Sequence, residues 1–236
     1  MNVSTDAVSR MDTASEACPA VGRLLADFSR HPTLGPMAPD LARAYQTIAL
    51  SLERGGTLYL CGNGGSFSDA LHISGELLKS FALPRPLPES LRLRLAGQPH
   101  GSELAVHLQA GLRAHVLGCN PALTSAIAND IRMEGIGYAQ ELTALARSGD
   151  VLLGISTSGK ARNVLLAIET ARALEMETIG LTGQAPNPLA DIADIALCAP
   201  EKETYRVQEL HIALYHQLCL LLEAHFFGCA PAANGV

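Results

Sequence analysis

The sequence predicts an α/β protein in which a five-stranded parallel sheet is covered by helices on both faces, a three-layer αβα arrangement of the Rossmann-like type. Short, almost continuously apolar segments alternate with longer segments of helical periodicity, as a parallel sheet buried on both faces requires. Apolar residues make up 48% of the 236 residues and Trp is absent, so an aliphatic core is expected between the layers. The predicted strands are residues 57–61, 114–117, 150–155, 178–181 and 194–197.

Helices are predicted before the first strand and between the others. A short helix over residues 18–30 precedes a linker rich in Pro and Gly, and Asp40 is predicted to cap a longer helix over 40–54. Further helices are predicted from the loop after the first strand to about residue 80, over 161–174 and over 204–227. The last of these is apolar on nearly all sides after Leu210, which indicates a central position or a subunit contact.

This pattern indicates one α/β domain over residues 40–230, preceded by a tail and short helix over residues 1–39. The first dozen residues are polar without periodicity and are expected to fray. Residues 82–112 are predicted to be an inserted helical segment, because three prolines break the chain before two short helical stretches at 89–95 and 102–111. Its place between two strand units favours a lid or an interface element over core.

The composition excludes several classes of function. With 17 Lys and Arg against 23 Asp and Glu, the net charge is −6, and aromatic residues are only 4%, so nucleic acid is not an expected ligand. No apolar run reaches the roughly 18 residues of a membrane span, and no signal peptide is visible, so a cytoplasmic protein without a membrane partner is expected. No C-x-x-C pair occurs, which argues against a zinc ribbon or a thioredoxin motif.

Two loops of small polar residues follow predicted strands, at residues 62–66 (GNGGS) and 156–159 (STSG). Backbone N–H groups and positive helix ends face the crevice at such positions, and small residues let an anion approach closely. The hydroxyls of Ser156, Thr157 and Ser158 add three donors suited to a phosphate ester. Neither loop is a Walker loop or a G-x-G-x-x-G motif, which disfavours nucleotide chemistry. The alternative is that both loops are ordinary capped turns.

The helix after the first loop carries Asp69, His72 and Glu76 at spacing i, i+3, i+7. His72 and Glu76 are four residues apart, so they project from one helix face and can offer an imidazole and a carboxylate to one metal ion. The alternative for such a pair is a solvated surface contact.

The last helix carries Gln208, Glu209, His211 and His216 in a mostly apolar stretch. Gln208 and His216 are separated by roughly 12 Å of helix rise, so they cannot touch along the helix but can converge on a bound ion or substrate. Of the two, His216 is expected to be the more buried. The alternative role for His216 is that of a core histidine held by hydrogen bonds. Glu209 lies on the same helix face as His216, whereas His211 points elsewhere. Glu209 and His211 are interpreted as structural or interfacial residues.

Taken together, these segments closely resemble a known family. Residues 60–77 (LCGNGGSFSDALHISGEL), 128–130 (AND), 149–159 (GDVLLGISTSG) and 206–211 (RVQELH), with His216 after them, are similar to the sugar isomerase (SIS) fold. Within that fold they resemble the sedoheptulose 7-phosphate isomerases, also called phosphoheptose isomerases. The resemblance covers residues 40–227.

The resemblance implies an acyclic aldose–ketose isomerisation of a sugar phosphate, sedoheptulose 7-phosphate to D-glycero-D-manno-heptose 7-phosphate. It also implies a zinc ion and a homotetramer with active sites at subunit interfaces. The implied metal ligands are His72, Glu76, Gln208 and His216. The implied substrate contacts are Asn63, Gly64, Gly65, Ser66, Asn129, Asp130, Ser156, Thr157, Ser158 and Gln208. An enediol route needs a base and an acid, for which Glu76 and His216 are the hypothesis, with zinc or Gln208 polarising the oxygen.

The chain departs from the family pattern at several positions. Lys160 and Ala161 stand where Asn and a nearby Ser are expected, Tyr205 replaces an acidic residue, and Phe67 replaces a polar one. The stretch from Glu76 to Asn129 is also longer than expected, so the resemblance leaves the identity of the sugar open. A non-catalytic SIS module that senses sugar phosphates or binds a replication initiator is the alternative, and the presence of all four implied ligands favours an enzyme. A lyase or deaminating isomerase for amino sugars gives no reason for this set of ligands.

Overall fold

The computed structural model describes residues 18–228, and its five strands form one parallel sheet, as predicted. The strands are β1 (Leu58–Cys61), β2 (Ala114–Val116), β3 (Val151–Ser156), β4 (Glu177–Thr182) and β5 (Ile195–Cys198), in the spatial order β2-β1-β3-β4-β5. The expected fraying of the first dozen residues, and the last residues of the predicted domain, lie outside the described range. The domain boundaries remain a prediction.

The strand order reverses direction at β1. In register, Leu58 pairs with Ala114 of β2 on one side and with Val151 of β3 on the other. The connections that leave β1 and β3 therefore run to opposite sides and open a crevice at the carboxyl ends of these strands. Ligands bind open α/β sheets at such a crevice.

The sheet is covered on both faces. The helices are α1 (Pro19–Ser29), α2 (Ala38–Glu53), α3 (Gly65–Leu78), α4 (Glu89–Leu95), α5 (Gly101–His107), α6 (Pro121–Asp130), α7 (Gly137–Leu145), α8 (Arg162–Ala173), α9 (Pro188–Ile192) and α10 (Thr204–Glu223). The helices α1, α2, α3 and α10 pack on one face of the sheet, and α7, α8 and α9 pack on the other. Neighbouring strand residues divide between the two faces, so that Leu60 points to the first core and Tyr59 to the second.

The start of α2 differs from the prediction. Asp40 does not cap the helix: the helix begins at Ala38 after Met37, and Asp40 lies in its first turn, 3.4 Å from a guanidinium nitrogen of Arg43. The reason is local, because the 3-10 turn Gly35–Met37 leads directly into the helix and Pro39 is tolerated in a first turn.

The end of α10 also differs. The predicted helix to residue 227 ends at Glu223, and the chain continues as a π-helical turn, Ala224–Gly228. In this turn the His225 ring is hydrogen-bonded to the Tyr45 hydroxyl at 2.6 Å and to Glu53 at 2.8 Å, which fixes the turn against α2.

The inserted segment forms the two predicted short helices, α4 and α5, which pack on each other. No side chain of α4 is buried, and only Gly101 is buried in α5. Leu93 and Val106 are exposed, and an antiparallel bridge between Pro86 and Gln109 brings the two ends of the segment together. Between residues 18 and 228, no helix is long and apolar enough to cross a membrane.

Candidate active site

Two loops build a polar cradle at the carboxyl edge of the sheet. Since β1 and β3 are neighbours, the loops that follow them lead into α3 and α8 side by side. Asn63 of the first loop and Asn163, in the first turn of α8, are joined by reciprocal amide hydrogen bonds of 2.8 Å. Gly64 has a φ of +54°, which favours glycine and turns the chain into α3.

The loop after β3, residues 156–159, is the hydroxyl loop, and its three hydroxyl side chains differ in how exposed they are. Ser156 is buried, Thr157 is half-buried and Ser158 is exposed. The Ser158 hydroxyl accepts a hydrogen bond of 3.2 Å from the backbone N–H of Lys160. Gly159 has a φ of +65°, and a Cβ there would lie 1.8 Å from the Asn187 side chain, so only glycine fits this turn.

The helices α3 and α10 lie against each other in the same direction within one chain. Near their N-termini, the amide nitrogen of Gln208 lies against Gly65, 2.1 Å from the position that a Cβ would take. About two turns further along, the rings of His72 and His216 are 5.0 Å apart. One chain therefore brings these helices together. Parallel packing also explains why Gln208 reaches the cradle while His216 reaches His72.

His72, Glu76 and His216 form one cluster; the spacing along α3 predicts the pairing of His72 with Glu76, and α10 adds His216. Nε2 of His72 lies 3.1 Å from Oε1 of Glu76, and the ring of Phe81 packs on His216 with centroids 5.5 Å apart. Burial lowers the pKa of His216 below its ordinary value and the neighbouring His72 lowers it further, against the opposing effect of Glu76. Nε2 of His216 is buried and has no hydrogen-bond partner among the described residues.

Two buried groups stand behind His72. The Tyr215 hydroxyl is 2.9 Å from Nδ1 of His72, and Oδ2 of the nearby Asp69 is buried with no hydrogen-bond partner among the described residues. Burial raises the pKa of Asp69, and the neighbouring Tyr215 and His72 oppose that rise. Burial also raises the pKa of Tyr215, which therefore stays a protonated phenol at neutral pH.

The implied metal ligands fit zinc in donor type, since two imidazoles and a carboxylate are common zinc ligands. The unpartnered, buried Nε2 of His216 is a free donor beside His72 and Glu76. In residues 18–228, however, no group of three or more His, Cys, Asp and Glu side chains is arranged closely enough to hold a metal ion. The donor side chains therefore lie near one another, but their present arrangement is not a complete metal-binding site.

Asn129 and Asp130 end α6, and both are exposed, with the Asn129 amide donating to Asp130 at 2.8 Å. Their neighbours Ala128 and Ile131 line a cavity of about 620 Å³ between α6 and α7, which reaches the cradle at Asn63. Asn129 and Asp130 do not line this cavity themselves, so their role in substrate binding remains a prediction.

The rival residues on α10 lie apart from the cluster. His211 is fully buried, with Nε2 3.1 Å from the carbonyl oxygen of Thr182, and burial lowers its pKa to about 4. It is therefore a neutral core histidine. Glu209 is exposed beside Tyr205 and Arg206, away from His216.

The four residues that depart from the family pattern lie outside the cluster of His72, Glu76 and His216. Lys160 is exposed next to Ser158, and Ala161, which precedes α8, offers no side-chain cap. Tyr205 is exposed, and its hydroxyl accepts a hydrogen bond from Nε of Arg206. Phe67 packs against the main core. None of these residues displaces Glu76, His72 or His216.

Two contacts of the cradle were not predicted from the sequence. Tyr138, on α7, donates a hydrogen bond to the carbonyl oxygen of Gly62 and lies 3.3 Å from the Asn63 amide oxygen. Burial raises the pKa of Tyr138 to about 12, so it remains a donor. The only available sequence signal for Asn163 was a polar amide in the first turn after the hydroxyl loop.

A doubly wound parallel sheet with a polar crevice at its switch point is typical of α/β proteins that bind small ligands, and residues 129–222 match the SIS domain. The phosphoheptose isomerase of Roseiflexus sp. strain RS-1 is 34% identical over 195 residues, covering 83% of this chain and 86% of the relative. That of Helicobacter pylori strain 26695 is 37% identical over 186 residues, covering 79% and 84%. The solved phosphoheptose isomerase of Neisseria gonorrhoeae is 25% identical with a TM-score of 0.64, covering 94% of this chain and 100% of that one.

The chain therefore belongs to the phosphoheptose isomerase family and is a sugar-phosphate isomerase. These relatives are enzymes by name, and they do not favour the non-catalytic alternative.

Proposed function

We propose that this protein interconverts sedoheptulose 7-phosphate and D-glycero-D-manno-heptose 7-phosphate through an enediol, with Glu76 as the base and His216 as the acid. One observation carries the proposal: the cluster of Glu76, His72 and His216 lies on a helix pair that begins at the polar cradle. Its relatives, named phosphoheptose isomerases at 34–37% identity, support the choice of substrate.

The cradle is the proposed phosphate site. The N-termini of α3 and α8 face the crevice, and a helix N-terminus attracts a phosphate through free N–H groups and the helix dipole. Asn63, Gly64, Gly65 and Ser66 of the first loop and Ser156, Thr157 and Ser158 of the second supply the contacts. Gln208 joins them because its amide lies at Gly65. Exposed Lys160 adds a positive charge at the rim.

Two side chains exchange protons with the substrate in this proposal. Glu76 takes a proton from C1 of the open-chain ketose, and the C–H electron pair forms the C1–C2 double bond. His216 donates a proton to the C2 oxygen as its carbonyl bond becomes single. The proton on Glu76 then returns at C2, while the hydroxyl proton of C1 passes to His216 and replaces the one that His216 gave up, so that C1 becomes the aldehyde. The phosphate remains held in the cradle, away from the reacting carbons.

Zinc is part of the proposal, with the clustered His72, Glu76 and His216 as residues that would hold it, and with Gln208, which lies at Gly65 about two turns away, as the fourth expected ligand. When bound, zinc supplies a Lewis acid for the substrate oxygens. What supports it is the donor chemistry and the unpartnered Nε2 of His216. A homotetramer with sites at subunit interfaces and a cytoplasmic location remain predictions from the sequence and its resemblance.

The test compares Glu76→Gln with wild type on sedoheptulose 7-phosphate in deuterated water, followed by NMR. Wild type is expected to place solvent deuterium at C2 of the aldose. Glu76→Gln should reduce kcat by roughly 10²–10⁴-fold, the usual share of acid–base catalysis, while sugar-phosphate binding remains measurable by calorimetry.

Glu209→Gln is the matched control, because this carboxylate lies on the exposed face of α10. It should retain the wild-type rate. Full activity in Glu76→Gln would remove Glu76 as the base, and turnover of pentulose or hexulose phosphates in place of the heptulose would overturn the substrate.

A further inference from the structure

Tyr138, in the first turn of α7, makes a hydrogen bond whose direction the chemistry of its neighbours fixes. Its hydroxyl lies against the carbonyl oxygen of Gly62 and 3.3 Å from Oδ1 of Asn63. Both of these oxygens can only accept, so the phenol donates its single hydrogen. Burial raises the pKa of Tyr138 to about 12, so the phenol keeps this hydrogen at neutral pH. Tyr138 therefore holds the carbonyl of Gly62, the first residue of the loop after β1.

Two further contacts fix the position of this phenol. A Cβ at Gly118 would lie 2.8 Å from Cε1 of Tyr138, so the tyrosine ring packs directly on the backbone of the loop after β2. Three residues further along α7, the buried Glu141 accepts a hydrogen bond of 2.7 Å from the N–H of Gly118. Because residues three apart share a helix face, one face of α7 reaches the loops after β1 and β2 together.

The bond to Gly62 also sets the direction of the next N–H group. The peptide unit is planar and trans, so a carbonyl and the N–H of the following residue point in opposite directions. With the carbonyl of Gly62 directed at Tyr138, the N–H of Asn63 points away from α7. Within residues 18–228, the backbone N–H groups of residues 63, 64 and 65 donate no hydrogen bond. Successive unpaired N–H groups in a turn are a common anion-binding arrangement.

Without the phenol, this peptide unit would be free to turn over. It lies between a glycine and an asparagine, two residue types that tolerate unusual backbone angles. The reciprocal bonds of Asn63 with Asn163 hold its side chain and not its peptide group. After such a rotation the carbonyl oxygen of Gly62 would take the direction of the Asn63 N–H, and its negative end would repel an anion.

We propose that Tyr138 is a positioning residue for the cradle: it holds the Gly62–Asn63 peptide so that the N–H of Asn63 stays available to a phosphate ester. The choice of phosphate rests on the proposed function, whereas the held peptide is a property of the protein alone. Tyr138 acts at the phosphate end and not at the reacting carbons. Its loss should therefore raise KM and leave kcat nearly unchanged.

The first test is NMR of isotope-labelled protein titrated with inorganic phosphate. In wild type, the amide signal of Asn63 is expected to move downfield as phosphate accepts its hydrogen, and a signal that phosphate leaves unmoved overturns the proposal. Tyr138→Phe keeps the ring and removes the hydroxyl, so the carbonyl carbon of Gly62 should move upfield in the ligand-free protein. An unchanged Gly62 carbonyl also overturns the proposal. The wild-type titration does not depend on how well the variant folds.

Tyr59→Phe is the matched control. The Tyr59 hydroxyl donates a hydrogen bond of 2.9 Å to the carbonyl oxygen of Leu145, the last residue of α7. Each variant removes one tyrosine–carbonyl bond at α7, so urea denaturation should show similar shifts of the midpoint. Only Tyr138→Phe should weaken the binding of inorganic phosphate, by about tenfold in calorimetry, roughly the contribution of one hydrogen bond to a charged group. Unchanged affinity in Tyr138→Phe, or equal weakening in Tyr59→Phe, overturns the proposal.

Kinetics on sedoheptulose 7-phosphate separates this proposal from the proposed function. Tyr138→Phe is expected to raise KM by about tenfold and to keep kcat within about twofold of wild type. A fall in kcat at unchanged KM would overturn the positioning role. A wild type that binds phosphate at the Asn63 N–H but does not turn over the heptulose phosphate would overturn the proposed function alone.

Discussion

At the scale of single residues, the most completely satisfied charge in the described structure is Glu223. Its carboxylate accepts hydrogen bonds of 2.8 to 3.0 Å from the backbone N–H groups of residues 81–83 and from Nε of Arg85. Arg85 in turn donates to the carbonyl oxygens of Glu76 and Leu77. This buried ion pair joins the end of α10 to the end of α3, the helix that carries the proposed base.

Removing one partner of this pair should be costly. Arg85→Met leaves the Glu223 charge buried without its counter-ion, so we expect a loss of about 3–5 kcal/mol in the free energy of unfolding. Urea denaturation measures it. Arg92→Met, which breaks an exposed pair with Glu89 on α4, is the matched control and should cost at most about 1 kcal/mol. Equal losses of unfolding free energy in the two variants would show that the buried pair stabilises the protein no more than the exposed pair does.

The same carboxylate predicts an acid dependence. Burial raises the pKa of Glu223, but the N–H groups of Phe81 and Ala82 and the guanidinium of Arg85 outweigh it, so the pKa lies below its ordinary value. A carboxylate with a lowered folded pKa stabilises the fold above the unfolded value, about 4.3, and loses that contribution as the pH falls through the folded pKa. The difference in unfolding free energy between wild type and Glu223→Gln should therefore shrink from about pH 6 to pH 3. A constant difference would contradict this assignment.

The sequence predicted some of these residues and not others, for a physical reason. The spacing of His72 and Glu76 places them on one helix face in any fold, so their pairing follows from periodicity. The contacts of Tyr215 with His72, and of Asn163 with Asn63, depend on which helices and loops become neighbours. Spacing along a single chain segment carries no information about that pairing.

At the scale of elements, Gly65 allows a test of how the cradle and α10 fit together. A Cβ at Gly65 would meet the end of the flexible Gln208 side chain, whereas a Cβ at Gly75, on the same helix, would meet nothing within 4 Å. Both Gly→Ala changes should hold or raise the melting temperature, because alanine favours a helix by up to about 1 kcal/mol.

Only Gly65→Ala should impair the enzyme, because it displaces Gln208 from the proposed phosphate site. We expect kcat/KM to fall by about tenfold, roughly the contribution of one hydrogen bond to a charged group. Steady-state kinetics on the two variants checks this. If Gly75→Ala loses as much activity as Gly65→Ala, the effect is not due to Gln208.

Strands were easier to predict than helix ends. Each predicted strand lies within one or two residues of an observed one, because a strand buried on both faces reads as an unbroken apolar run. Helix ends depend on local turns that periodicity does not show, as at Asp40, where a 3-10 turn moved the start of α2. The strand order was not predictable from the pattern either, since it is set by how the connections cross the sheet.

At the scale of the whole molecule, the outer part of the inserted segment, residues 88–107, should be separable from the fold. The helices α4 and α5 bury no side chains in the core, and Pro86 and Gln109 already meet at the base of the segment. Replacing residues 88–107 by a short Gly-Ser linker should leave circular dichroism unchanged and shift the free energy of unfolding by less than about 1 kcal/mol. A variant that fails to fold would show that the segment stabilises the core.

The parallel packing of α3 and α10 fixes the distance between the cradle and the side-chain cluster. The cradle at Gly65, the proposed phosphate site, and the side-chain cluster at His72 are separated by seven residues of one rigid helix, or roughly 10 Å of rise. A sugar whose phosphate is anchored at one end must span that interval to bring its carbonyl to the other. The length of sugar that fits is therefore set by the backbone of α3, and a side-chain substitution cannot shorten that distance.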